Sequence, residues 1–284
     1  MTLSEALRLA SNSLYTAEIE DALIEAELLL GYVLGVSKAQ LYSQPERLLT
    51  TEEAGDLQQL VQRRLLREPT AYIMKRCEFY GFDFYLVRRV LIPRPETELL
   101  VEKTIEFASP RLSAESGFII ADIGTGCGAV AISLALSLPE ARIYATDISD
   151  SALQVASVNC QRHKVGSRVK LLQGDLLEPL PEPVDVIVAN LPYIRDCELQ
   201  MLAPEITDYE PVIALSGGED GLDKIRCLLQ QAPGKIRPGG CLLLEVGQGQ
   251  DKAVSSIINS HFPQASIELI PDLSGINRVM KAVL

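Results

Sequence analysis

Asp185-Val186-Ile187-Val188-Ala189-Asn190-Leu191-Pro192-Tyr193-Ile194 is a short β-branched run that stops on a primary amide and continues through a proline to an aromatic ring. Pro181 and Pro183 bound it upstream, so the run reads as a buried strand from Val184 to Ala189. Pro192 fixes its own φ and holds Leu191 extended, which sends the chain out of the sheet along a set path. The Asn190 amide and the Leu191 carbonyl can then accept two hydrogen bonds from a planar NH2 group, with the Tyr193 ring near its flat face. Such a device holds an amide or an exocyclic amine. Taken alone, the same residues also suit an ordinary turn after a strand.

Around this stretch, from about residue 117 onward, apolar strands alternate with amphipathic helices. Strands are expected at Phe118 to Ile123, Arg142 to Asp147, Val169 to Gln173, Val184 to Ala189, Cys241 to Val246, Ile267 to Ile270 and Arg278 to Leu284. Helices between them start near Cys127, Ser149, Gly221 and Asp251. This order predicts an α/β fold with a doubly wound, mostly parallel sheet, its last two strands forming an antiparallel hairpin at the edge.

Upstream the pattern changes twice. Residues 1–75 read as helices only, a small bundle that is a structural or dimerising domain, or else a docking surface for a protein substrate. Thr2 or Ser4 caps a first helix carrying Leu3, Leu7 and Ala10, and Thr16 is expected to open a second with Ile19, Leu23, Ala26, Leu30 and Val33 on one stripe. A short helix from Ser37 to Ser43 follows, and Thr50 with Glu53 makes a capping box ahead of Leu57 and Val61. Residues 76–92 read as a β-hairpin linker, and residues 93–284 as the larger, α/β domain. Pro93-Arg94-Pro95-Glu96 stiffens the entry into a helix from about Glu96 to Phe107.

Composition narrows the class. A net charge of −12 argues against tracking nucleic-acid phosphates over a broad surface. Six scattered cysteines without a CxxC pair, and only His163 and His261 besides, argue against a metal cluster and fit reduced thiols in a cytoplasm. The first residues lack the basic and apolar regions of a signal peptide, and no apolar run reaches the roughly 20 residues that span a bilayer.

Asp122-Ile123-Gly124-Thr125-Gly126-Cys127-Gly128 follows the first strand of the sheet and opens a helix, which lets backbone approach a ligand. Asp147 ends the second strand, where a carboxylate grips the two hydroxyls of a ribose. Gly124, Gly126 and Ala129 also satisfy the loose dinucleotide fingerprint. Asp122 favours S-adenosylmethionine, since an acid there suits a cationic amino-acid end and repels a pyrophosphate. Asp175 and Leu176, after the third strand, make a polar-then-apolar corner for an adenine, or else a turn cap. Glycine loop, Asp147, Asp175 and Asn190 to Tyr193 all fall at strand ends, where open α/β sheets bind ligands.

With those residues in place, the chain resembles class I (Rossmann-like) S-adenosylmethionine-dependent methyltransferases of the Asn-Pro-Pro-Tyr type. More closely it is similar to the HemK/PrmC family, which methylates the glutamine of the Gly-Gly-Gln motif in class 1 peptide chain release factors. The resemblance runs through Arg67-Glu68-Pro69-Thr70-Ala71-Tyr72-Ile73, Ile92-Pro93-Arg94-Pro95-Glu96-Thr97-Glu98, Tyr209-Glu210-Pro211, Gly217-Gly218-Glu219-Asp220-Gly221-Leu222 and Leu244-Glu245-Val246-Gly247. Leu191 stands where the family usually has its first proline; Asn-Leu-Pro-Tyr also occurs in rRNA adenine dimethyltransferases, whose accessory domain follows the core instead of preceding it.

The resemblance implies a cytoplasmic enzyme that takes a methyl group from S-adenosylmethionine, leaves S-adenosylhomocysteine, and uses a release factor as protein partner, with no membrane, metal or direct nucleic-acid substrate. Asp122, Gly124, Thr125, Gly126, Cys127, Gly128, Asp147, Asp175, Leu176 and Asn190 are the expected cofactor contacts. Asn190, Leu191, Pro192 and Tyr193 would hold the substrate, and Asn190, Pro192 and Tyr193 would carry the catalysis. Arg94, Glu96 and Glu210 are further candidates to touch a ligand. The competing readings are an adenine N6-type nucleic-acid methyltransferase, a dinucleotide-dependent oxidoreductase, and a catalytically idle adaptor that binds the same cofactor.

Overall fold

The structure, a computed structural model, describes residues 1–112 and 117–284. It divides into two units, Met1–Arg76 with Ala203–Tyr209, and Cys77–Leu202 with Glu210–Leu284.

The first unit is helical. α1 (Leu3–Thr16) starts on a reciprocal capping box between Thr2 and Glu5, and α2 (Ala22–Leu34) ends on Gly35 at a left-handed φ of 64°. α3 (Lys38–Ser43), capped by Ser37, is followed by α4 (Thr51–Leu65), where Thr50 and Glu53 form the expected box, and by α5 (Thr70–Met74). Thr16 does not open a helix. It ends α1, its hydroxyl donating to the Asn12 carbonyl one turn back. Ile19 is buried in the connecting turn, and Leu23 faces solvent because α2 buries Ala22, Ala26, Leu29 and Leu30 instead. Leu14, Leu29, Leu30, Leu57 and Ile73 share the unit's core.

The second unit opens on a hairpin of β1 (Arg76–Phe79) and β2 (Phe82–Tyr85). Tyr80 and Gly81 both adopt positive φ, as a two-residue turn matched to strand twist requires. A 3-10 turn at Pro95–Thr97 precedes α6 (Glu98–Leu112), so the helix begins two residues later than the sequence pattern indicates. There follow β3 (Ile119–Ile123), α7 (Ala129–Ser137), β4 (Arg142–Asp147), α8 (Asp150–Arg162), β5 (Val169–Gln173) and β6 (Val184–Ala189). The short helix α9 (Pro204–Thr207) belongs to the first unit. There Glu205 accepts from the buried Arg64 at 3.0 Å and from Arg67 at 3.2 Å, and the Tyr209 hydroxyl donates to the Leu66 carbonyl at 2.6 Å. The chain then completes the second unit with α10 (Asp223–Gln231), β7 (Ile236–Glu245), α11 (Asp251–His261), β8 (Ser266–Pro271) and β9 (Asn277–Val283).

The seven strands lie in the order β5-β4-β3-β6-β7-β9-β8, with only β9 antiparallel to its neighbours. The last two strands form the expected hairpin at the edge, with the final strand on its inner side. β3 and β6 are central and every residue of each is buried, as strands covered on both faces must be. The chain winds outward from β3 through β4 and β5, then crosses back to β6, which makes the β3–β6 gap the switch point of the sheet. Among the described residues, no helix is long and apolar enough to cross a membrane.

One buried amide ties the hairpin to the sheet. Asn159 on α8 accepts from the Tyr85 N–H at 2.7 Å and donates to the Tyr85 and Cys127 carbonyls at 3.0 and 2.9 Å. Asn159→Ala leaves these groups without partners in a fully buried place and costs about 3 kcal/mol. Urea unfolding of the variant against the parent measures it; a loss below about 0.5 kcal/mol would contradict that role.

Candidate active site

Strand register assembles the site. Ile123 of β3 pairs with Thr146 of β4 and with Ala189 of β6, while Ala189 pairs with Leu244 of β7. The residues that follow these strand ends are therefore neighbours: the glycine loop, Asp147, Asn190 and Glu245. The N–H groups of Gly124 and Thr125 both donate to the Thr146 carbonyl at 2.9 Å, and Gly126 N–H donates to Asp147 Oδ2 at 2.9 Å. Gly124 and Gly126 hold φ of 72° and 57°, a region where side chains are strained. A cavity of about 110 Å³ opens beside them.

Gly124, Gly126, Asp147, Asp175, Leu176, Asn190, Leu191 and Pro192, all picked out from sequence, line this cavity. Asp147 accepts from Gly126 and Ser149 N–H groups, and partial burial raises its carboxyl above the usual range. Asp175 is half-buried, lines the cavity, and its carboxylate accepts no hydrogen bond among the described residues. Leu176 beside it holds a φ of 52°, a strained value for a branched residue; its carbonyl accepts from Thr146 Oγ1 at 2.9 Å.

Asp122, Thr125, Cys127 and Gly128 lie behind the cavity. The Asp122 carboxylate accepts from Thr125 Oγ1 at 2.6 Å and from Ala131 N–H at 3.1 Å, bracing the loop against the first turn of α7. Burial pushes its pKa up to about 6. Cys127 is likewise buried, and its thiol is pushed up to about 12.

Asn190 turns its Nδ2 to Thr97 Oγ1 at 3.0 Å, Thr97 Oγ1 donates to Glu245 Oε2 at 2.7 Å, and the Tyr193 hydroxyl donates to Glu245 Oε1 at 3.3 Å. The Leu191 carbonyl accepts nothing among the described residues. Burial pushes the Tyr193 phenol up to about 12. Gln250 secures the chain after the tetrapeptide, donating to the Tyr193 carbonyl at 3.0 Å. Arg94 and Glu210 bind each other at 2.6 Å, and Glu96 is exposed.

Sequence reasoning missed Thr97 and Glu245 as members of the site, and missed the apolar walls Leu91, Ile148, Pro211 and Ile213. Ile148 carried a signal, an apolar side chain directly after a strand-end acid; it is half exposed at the rim. The others come from loops whose approach no local pattern reveals. All six cysteines are free, and no group of metal-ligating side chains occurs among the described residues.

A switch-point cavity with two available carboxylates, apolar walls and an amide at its inner end, on a sheet of this order, is the architecture of class I methyltransferases. In fold the structure matches a methyltransferase from Pyrococcus furiosus, with a TM-score of 0.51 at 19% identity over 78% of this chain and 96% of that one. Residues 5–74 match the PrmC N-terminal domain and residues 99–207 the methyltransferase small domain. A release factor glutamine methyltransferase of Moorella thermoacetica is 41% identical over 99% of this chain and 98% of its own length. One of Thermodesulfovibrio yellowstonii is 40% identical over 90% of each chain. The chain belongs to the release factor glutamine methyltransferase family.

Asp122 yields a sharp expectation. Its folded pKa lies above the ordinary 3.8, so its contribution to stability is full below about pH 4 and is lost as pH rises through about 6. Asp122→Asn keeps an acceptor there and carries no such loss. Between about pH 4 and pH 8 the stability difference should move in favour of the variant by on the order of 2–3 kcal/mol. Chemical unfolding of both proteins across that range checks it; a flat difference would place the carboxylate in an ordinary environment.

Proposed function

We propose that the protein transfers a methyl group from S-adenosylmethionine to the side-chain amide nitrogen, N5, of the glutamine in the Gly-Gly-Gln motif of class 1 peptide chain release factors, leaving S-adenosylhomocysteine. The observation that carries this reading is the convergence of the strand-end cavity on Asn190, Leu191 and Pro192, in a chain similar along its whole length to proteins of that activity.

The residues present suit such a cofactor. Asp147 supplies a carboxylate for the ribose hydroxyls, and Asp175 with Leu176 and Ile148 offers a polar edge and apolar faces for the adenine. Gly124 and Gly126 let the chain approach closely. Bound there, S-adenosylmethionine supplies an electrophilic methyl group on its sulfonium.

The chain's own part is to hold a poor nucleophile. An amide nitrogen has its lone pair delocalised into the carbonyl, so orientation matters more than proton abstraction. Asn190 Oδ1 and the Leu191 carbonyl accept the two amide hydrogens, Tyr193 packs against the amide plane, and Pro192 keeps the segment extended. Alignment of this kind contributes up to about 7–11 kcal/mol in favourable cases. The proton leaves to solvent after transfer. Leu191 in place of a proline keeps the carbonyl that the scheme needs.

The helical residues 1–75 are proposed to dock the release factor, residues 76–92 to link, and residues 93–284 to perform the transfer. The site of action that goes with such a substrate is the cytoplasm.

Transfer of label from S-adenosylmethionine to a release factor, and none to a control with the motif glutamine replaced, is the expected result. Label in naked nucleic acid and none in protein would sink the reading. Asn190→Ala should lower turnover by at least a hundredfold while binding S-adenosylhomocysteine within about threefold of the parent. Loss of that binding would assign Asn190 to the cofactor instead.

A further inference from the structure

We infer that Glu245 and Thr97 are positioning residues that determine which end of the Asn190 amide faces the cavity. This deepens the glutamine-methylation reading and rests on it.

An asparagine amide has two ends of nearly equal size, and they act oppositely: the oxygen accepts and the NH2 donates. A substrate amide presenting two hydrogens needs the oxygen. Nothing in Asn190 itself makes that choice; the network behind it does.

Glu245 closes β7 next to Asn190 because Ala189 and Leu244 are in register. It is 2% exposed, and its two oxygens face the Thr97 hydroxyl at 2.7 Å and the Tyr193 hydroxyl at 3.3 Å. A carboxylate has no proton to give, so Thr97 must direct its single proton to Glu245. The Thr97 oxygen then presents only lone pairs to Asn190, 3.0 Å away. Only the NH2 end can meet a lone pair, so Oδ1 is left on the cavity side.

Thr97 is 4% exposed, at the turn that starts α6, where Pro93 and Pro95 limit the backbone's freedom. Burial works against the charge on Glu245, as does Glu96, whereas the Thr97 and Tyr193 hydroxyls and the positive charge of Arg278 favour it. The same carboxylate accepts a hydrogen bond from the Tyr193 hydroxyl, so one buried acid orients two of the four residues in the Asn-Leu-Pro-Tyr segment. Replacing Glu245 by glutamine introduces a donor at this point, which permits the reverse order of donors and an Asn190 that shows its NH2 to the substrate.

The test uses the full chain with Thr97→Val, Thr97→Ser and Glu245→Gln. Steady-state methylation of a release factor, S-adenosylhomocysteine titration by calorimetry, and the side-chain amide NMR signals of Asn190 are the readouts. Thr97→Val and Glu245→Gln should lower kcat/KM at least tenfold with the S-adenosylhomocysteine Kd within twofold of the parent, while Thr97→Ser stays within threefold in both. In the parent, the Asn190 amide protons should show an NOE to the Thr97 methyl and exchange slowly with solvent. Thr97→Val activity equal to the parent, serine as damaging as valine, or Kd rising in step with lost turnover would each overturn the inference. If the parent itself methylates no release factor, the functional reading falls on its own. The Asn190 signals then decide the orientation: an NOE to Thr97 upholds it, and its absence overturns it.

Discussion

The parallel pairing of β3 with β6 is the constraint on which the site depends. With Ile123 opposite Ala189, the chain leaves both strands at the same level, and the glycine loop emerges beside Asn190. A slip of one residue would send alternate side chains to the opposite face of the sheet and bury what now faces the cavity. Both strands are buried on both faces, so a large hydrophobic term resists such a slip. The opposition of the glycine loop and the Asn190 amide is thus maintained by packing far larger than either group.

Buried acids do the finer work in this unit. Asp122 braces the glycine loop, Glu245 organises the hydroxyls behind the tetrapeptide, and Asp185 accepts from Ile119 N–H at 2.7 Å while pairing with Arg237. Glu210 holds Arg94. Burial raises the carboxyls of Asp122, Glu245 and Glu210 above the usual range, although hydrogen bonds or positive charge oppose the shift at each. Keeping a charge inside is costly, and each of these carboxylates meets at least one donor that a merely apolar replacement would leave without a partner.

The pattern of strands and helices was legible because the two periods differ. Arg142–Asp147, Val169–Gln173 and Val184–Ala189 occur where apolar β-branched runs put them, and Thr2, Ser37 and Thr50 cap the helices that their side chains indicate. Thr16 misled because a threonine caps a helix or back-bonds at its end with the same hydroxyl. β7 begins at Ile236, five residues before the expected Cys241, since Pro238, Gly239 and Gly240 obscure the pattern. Leu91, Ile148, Pro211 and Ile213 came to the cavity from separate segments, and nothing local distinguishes a wall residue from an ordinary loop residue.

By itself the sequence determined the alternation of elements, the residues that end the first four strands of the sheet, and the place of the Asn-Leu-Pro-Tyr segment directly after one of them. Those are local properties, set by hydrophobic period, backbone restriction at proline and glycine, and side-chain chemistry. Only the tertiary structure decided that Asp122 faces inward whereas Asp175 faces the cavity, although both are acids beside a strand end. It likewise decided which end of the Asn190 amide is exposed, because that choice is made by Thr97 and Glu245, 93 and 55 residues away along the chain. The direction of a hydrogen bond depends on its partner, and partners so distant in sequence meet only when the sheet closes.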